Sequence, residues 1–465
     1  MKRLPVFAML LLCSCDNFLD ESMRSDYSPE NYYTSEDAAA AAVVGVYASL
    51  YGTKWWIFGD VASDDAAKGG NAGDQAGMDG IDGFTATSDN GDIAVFWQKT
   101  YETVSQANNV IAYVQPMNIP TRDHLIGEAR FIRAFSYFQL VNIFGAVPYK
   151  DKPQTTADAI HVALSTPDLI YSKIEADLQA AADALPPYYG AAERGRVTQG
   201  AALALLAKTY LYQQKYSDCL AAIQRLEDLQ QYALLNNYAD LFHSGAEDST
   251  EVIFGLRFAQ SMEVSLGNEF TVWMAPSIES GYHFNAPTQA FVDCFTEPTA
   301  TGSGDPRLDA SIGRNGKPWF NGLTFSDSWS EATGYLVKKY CEDNPSARPI
   351  GYSTIPYHYL RYADLLLMQA EALNESGAAG ANVPLNSVRR RAGLADTTAA
   401  QSTLRAIIRT ERRRELGFEC HRFYDLMRYG REYAEQALVG TGFTWQEPRY
   451  YFPLPQMEVD ANNKL

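Results

Sequence analysis

Apolar residues recur at helical spacing through several stretches of this chain and fail to do so in between. After an aperiodic opening from Asp16 to Asn31, the alanine-rich run 35–51 follows capping oxygens on Ser35, Glu36 and Asp37, which predicts a helix. Residues 52–92 change character. They are rich in Gly, Asp and Asn, with little periodicity, and an irregular stretch of that length inside a compact protein is usually functional or disordered. Helical spacing resumes at Phe96 and Trp97 and runs to about Val114. It returns at Arg122–Phe144, where Phe131, Phe135 and Phe138 recur on one face and Gly145 with Pro148 supplies the stop. An amphipathic helix over 165–185 ends at Pro186 and Pro187.

Two further segments read as helix pairs. Ala202–Tyr212 has small residues along one side, and a turn leads into a second helix over Ser217–Leu229 that carries Ala221 and Ala222. Small residues where two helices meet, with a tyrosine near the turn, resemble a tetratricopeptide hairpin. A similar pattern opens at Leu360–Leu373, with Leu385–Arg391 as its partner. Residues 232–355 are irregular, with short strand-like runs such as Glu251–Leu256. The expected fold class is mainly α: a tetratricopeptide-like helix-pair scaffold with an irregular, loop-rich lobe containing short strands. The expected division is a leader over 1–14, a helical region over 15–231, an irregular lobe over 232–355, and a C-terminal helical region and tail over 356–465.

The start of the chain predicts export. Lys2 and Arg3 precede a short apolar run to Leu12, followed by Cys13-Ser14-Cys15. The run is much shorter than a membrane span. A small residue directly before Cys15 fits a bacterial lipobox, which makes Cys15 the expected lipidation site. Cys13 is the poorer candidate because it follows Leu12. Multiple acyl chains would then tether the mature chain firmly.

Charge narrows the partners. The formal charge is −18, and loss of Lys2 and Arg3 with the leader makes it more negative. Such a chain is repelled by phosphate backbones, so no nucleic-acid partner is expected. Residues 405–431 hold eight arginines, but Glu411, Glu415, Glu419 and Asp425 lie among them, which predicts a buried or interfacial ion-pair network. Cys219, Cys294, Cys341 and Cys420 have no metal-like spacing, and the histidines are scattered, so no metal site is expected from them. Asp89-Asn90-Gly91-Asp92 could contribute to a calcium loop but lacks EF-hand spacing, and a solvated turn is the expectation. HExxH, GxSxG and Walker signatures are absent, so no catalytic residues are assigned.

Motifs spread along the chain are together specific. Gly127–Phe138 continuing to Phe144-Gly145-Ala146-Val147-Pro148, Arg194–Thr198, Leu360–Asp364, Glu411–Leu416, His421–Leu426 with Arg428-Tyr429-Gly430, the tail Tyr451–Gln456 and the opening Cys15–Asp20 resemble the SusD/RagB family, nearly end to end and in order. The resemblance implies a lipid-anchored protein on the outer face of an outer membrane. Such a protein captures an oligosaccharide, or in RagB-like members a peptide, and delivers it to a SusC-like TonB-dependent transporter. It implies no cofactor and no chemistry; a surface glycoside hydrolase is the alternative from another class.

The resemblance also implies a ligand site in the irregular segments 52–95 and 258–285. Trp97 opens a periodic helix and is expected in the core. The other tryptophans suit either core packing or ligand contact. A pyranose offers an apolar face that stacks on a flat ring and a hydroxyl rim that takes hydrogen bonds. The site implied by the family selects Trp55, Trp56, Trp273 and Tyr282 as the stacking platform. Asp64, Asp65 and Lys68, which follow on the same segment, are the expected rim contacts.

Overall fold

The computed structural model describes residues 29–155, 158, 160–260, 266–342, 352–462 and 464; Cys15 and the expected leader lie outside them. The principal helices are α1 (Glu36–Ala48), α2 (Gly91–Val114), α3 (Arg122–Phe144), α4 (Pro167–Ala184), α5 (Gln199–Tyr212), α6 (Tyr216–Glu227), α7 (Tyr362–Glu375), α8 (Asn382–Arg391), α9 (Gln401–Leu416) and α10 (Arg422–Tyr429). The protein is mainly helical, as expected, with few short strands.

Caps set several boundaries. The side chains of Ser35, Asn90, Thr166 and Thr198 each accept a backbone N–H from the first turn of α1, α2, α4 and α5. Ser88 and Asp89 form a turn, as expected, with Asp89 exposed, and Asn90 adds the cap of α2 to it. From Leu125 to Phe144, every residue of α3 except Arg130 is buried. A helix that is buried all round forms the centre of a fold, and α3 packs between α2 and α4. Successive helices then stack as pairs: α4 on α5, α5 on α6, both on α7, and α7 on α8 and α9. Trp97 is 3% exposed, a core residue. Cys219 and Cys420 are buried and unpaired.

Two short antiparallel sheets tie the irregular segments to this scaffold. Strand β1 (Ala66–Gly69) pairs with β3 (Phe284–Pro287), with Ala67 opposite Ala286. Strand β2 (Val252–Leu256) pairs with β4 (Tyr357–Arg361), which runs directly into α7. The stretch 52–95 is therefore not an open loop. It contains a buried π-helical turn (Ile57–Val61), β1 and a short helix (Ala76–Asp82). Its glycines serve close packing: a Cβ at Gly59 would collide with the backbone of Cys420, and one at Gly69 with the His283 carbonyl.

The arginine-rich segment forms the expected buried network. Arg307 reaches Glu411 at 2.7 Å and Glu415 at 3.0 Å. Arg361 reaches Glu251 at 2.6 Å, Glu415 at 3.0 Å and Glu419 at 2.6 Å. Arg412 pairs with Asp364 at 2.8 Å, which also takes Lys208 at 3.2 Å. Burial opposes ionisation of Glu419, but Arg361 and Lys339 outweigh it and hold the carboxyl down at about 2. Glu419, held as an anion, joins the strand that carries Arg361 to the segment after α9.

Candidate ligand cleft

The short helix Phe270–Met274 presents Trp273, half-buried, to an open cleft of about 700 Å³. Its position follows from the loop that returns beneath it. Tyr282 donates its backbone N–H to Val272 O at 2.8 Å, and His283 to Ala275 O at 3.0 Å. Gly281 is needed there, since a Cβ would strike the Ala275 carbonyl. Tyr282, 44% exposed, meets the Trp273 ring edge-on at 5.4 Å, and Lys54 Nζ lies 4.3 Å from the centre of the same ring. Across the cleft stands Trp329, supported by Phe325 at 5.1 Å and Trp319 at 6.2 Å. Trp319 is anchored in turn by donating its indole N–H to Glu279 at 3.2 Å. Asn71, Asp74 and Gln75 form a third wall, with Glu269 and Glu331 at the rim, all exposed.

Of the expected platform, then, Trp273 and Tyr282 line the cleft and the other two rings do not. Trp55 is 3% and Trp56 1% exposed. Trp55 packs against Phe135, Tyr357 and Tyr359. Trp56 lies behind Trp273 at 6.0 Å, as the floor on which that ring rests. They follow an irregular stretch in sequence, but the stretch folds inward and takes them with it. Trp329, not assigned to the site from sequence, completes the aromatic set; its signal was a tryptophan in Gly- and Ser-rich surroundings.

The expected rim contacts are also corrected. Asp64 binds Arg422 at 2.7 Å and Arg413 at 2.9 Å, and Asp65 binds Arg413 at 2.5 Å. Burial resists ionisation of Asp64, yet the two guanidiniums hold its carboxyl below its ordinary value. Asp65 is buried and Asp64 nearly so, and both carboxylates face the arginine network, not the cleft. Lys68 is buried too. Its Nζ donates to Asp74 O at 2.7 Å and pairs with Asp79 at 2.8 Å, so it holds the wall bearing Asn71 and Gln75 from behind.

Three flat rings with amide and carboxylate groups around them suit a ligand with apolar faces and a hydroxyl edge. Among the described residues, no group of three or more His, Cys, Asp or Glu is placed to hold a metal ion, and no helix is long and apolar enough to cross a membrane.

Fold and cleft together define a class: a helix-pair scaffold carrying a loop-rich lobe with an open aromatic cleft. The chain belongs to the SusD family. The SusD family model matches residues 250–465, and a second, described as starch-binding associating with outer membrane, matches 17–211. SusD-like protein P25 of Formosa agariphila is 27% identical, over 91% of this chain and 89% of the relative. The crystal structure of a SusD superfamily protein from Bacteroides vulgatus superposes with a TM-score of 0.83, at 24% identity over 93% of this chain and 98% of the other. A laminarin-binding SusD-like protein superposes with a TM-score of 0.77, at 28% identity over 92% and 98%.

Proposed function

We propose that this chain is a cell-surface, glycan-binding lipoprotein. It is anchored through Cys15, captures an oligosaccharide in the Trp273 cleft, and passes it to a SusC-like TonB-dependent outer-membrane transporter. The observation that carries this reading is the cleft itself: Trp273, Tyr282 and Trp329 offer stacking faces, and Asn71, Gln75 and Glu269 offer hydrogen bonds to hydroxyls. The laminarin-binding relative favours a glucan as the ligand. The reading contains no bond-breaking step, because capture and release need only contacts that form and dissolve.

Calorimetry of the folded protein with laminarin oligosaccharides, and in parallel with mixed peptides, tests it. Saccharide binding weakened about tenfold or more by Trp273→Ala supports the proposal. Peptide binding alone points instead to RagB-like peptide capture. New reducing ends after long incubation would identify a glycoside hydrolase. Gentle detergent extraction from the native cell should co-purify a TonB-dependent barrel.

A further inference from the structure

We propose a second saccharide subsite in a pocket of about 370 Å³ between the segment that follows α4 and strand β2. It rests on the reading of the protein as a glycan binder and extends it to a second location. The pocket contains polar groups whose requirements the protein leaves unmet. The hydroxyls of Tyr189 and Ser249 and the Oε2 of Glu247 are buried and have no hydrogen-bond partner within the protein. His358, fully buried, also lines it. Its Nε2 lies 2.6 Å from the Leu241 carbonyl and must donate to it, which leaves Nδ1 as an acceptor, again without a partner. Burial keeps this imidazole neutral.

That set of groups selects the ligand. Two hydroxyls that donate or accept, together with two acceptors, complement a neutral polyol, in which every hydroxyl can do both. An anion is disfavoured, since Glu247 and His358 offer it no proton. The arginines at the pocket are already engaged: Arg194 and Arg257 pair with Asp248 at 3.1 and 2.6 Å, and Arg196 with Glu128 at 2.9 Å. Tyr188 is 68% exposed and adds a stacking face.

Position argues for one ligand chain spanning both sites. A shallow hollow shares Leu256 with this pocket and Trp273 with the cleft. Its surface includes Tyr51 and Phe258, whose rings meet edge-on at 5.3 Å, and the Tyr51 hydroxyl donates to the Arg257 carbonyl. A long oligosaccharide that reaches both sites makes its second contact intramolecularly, which raises affinity with chain length.

The test uses the full folded chain with a short and a long laminarin oligosaccharide as probes. The long probe should bind about tenfold or more tighter than the short one. Tyr188→Ala and Glu247→Gln should each weaken the long probe about fivefold and leave the short probe unchanged, with unaltered melting temperature. Trp273→Ala should weaken both probes, and the residual binding of the long probe should vanish when Tyr188→Ala is added. If both pocket variants bind the long probe as the parent does while Trp273→Ala abolishes binding, the second subsite is wrong and the proposed function stands. If the parent binds neither probe, both proposals fall.

Discussion

Asp60 offers a stability prediction that can be worked from the structure. It sits in the π-helical turn, fully buried, with Oδ1 accepting the Cys420 N–H at 2.9 Å and Oδ2 accepting from Asn285 Nδ2 at 3.2 Å. Among the described residues no cation forms a salt bridge with it; burial outweighs these hydrogen bonds and the more distant Lys339, and pushes its carboxyl up to about 7 from an ordinary 3.8. The native state therefore binds a proton that the unfolded chain releases between about pH 4 and 7. Stability from this group is fully present at low pH, falls as pH rises through that window, and is flat above it. The difference corresponds to on the order of 4 kcal/mol lost by pH 8. Asp60→Asn removes the titration. Its Oδ1 can still accept from Cys420, and its amide can donate to Asn285 Oδ1, which has no partner, once the Asn285 amide turns over. The expected result is a variant about as stable as the parent at pH 4 and more stable by a few kcal/mol at pH 8. Denaturant unfolding of both proteins from pH 4 to 8 gives the double difference, in which the other titrating groups cancel. A difference that does not change with pH, or a variant less stable at pH 8, refutes the reasoning.

Further expectations concern the cleft, the network and the anchor. Trp56→Ala should destabilise by ~3–5 kcal/mol as a core deletion, whereas Trp273→Ala should cost less stability and about tenfold in saccharide affinity; melting curves and calorimetry separate the two. Glu415→Ala should cost ~3–5 kcal/mol in denaturant unfolding, because it removes from the buried network one anion shared by Arg307, Arg361 and Arg391 and leaves an excess of positive charge there. Cys15→Ala should move the protein from the membrane fraction to the soluble fraction, and the parent should carry acyl mass at its N-terminus. Retention of the variant in the membrane would refute the anchor.

The helices were legible because their signals are local. The phenylalanine spacing and Gly145 stop of α3, the small-residue faces of α5 and α6, and the interleaved charges of α9 each occupy one stretch of chain. The candidate cleft was legible only in part. Trp273 and Tyr282 line the cleft, but nothing near Trp55 or Trp56 in sequence announces that Phe135, Tyr357 and Tyr359 will enclose the first and that Phe284 and Trp273 will pack on the second. Asp64 and Asp65 look solvated in a Gly- and Asp-rich stretch because their partners, Arg413 and Arg422, lie almost at the other end of the chain. Irregular spacing was a poor guide to exposure, since glycines such as Gly59 permit closer packing than a periodic element would.

The same long-distance pairing governs how the protein can come into being. The contact between Asp60 and Cys420 closes across 360 residues and that between Asp65 and Arg413 across 348. Contacts of such separation form late, after a large loss of chain entropy. The first tryptophans therefore remain without their final enclosure until nearly the whole polypeptide is available. A chain cut short anywhere before α9 strands Asp64 and Asp65 without their counter-charges, however well its own helices form. Until its last hundred residues arrive such a molecule needs protection from premature association, and the fold is better regarded as a ring fastened at its end than as a series of modules completed one by one.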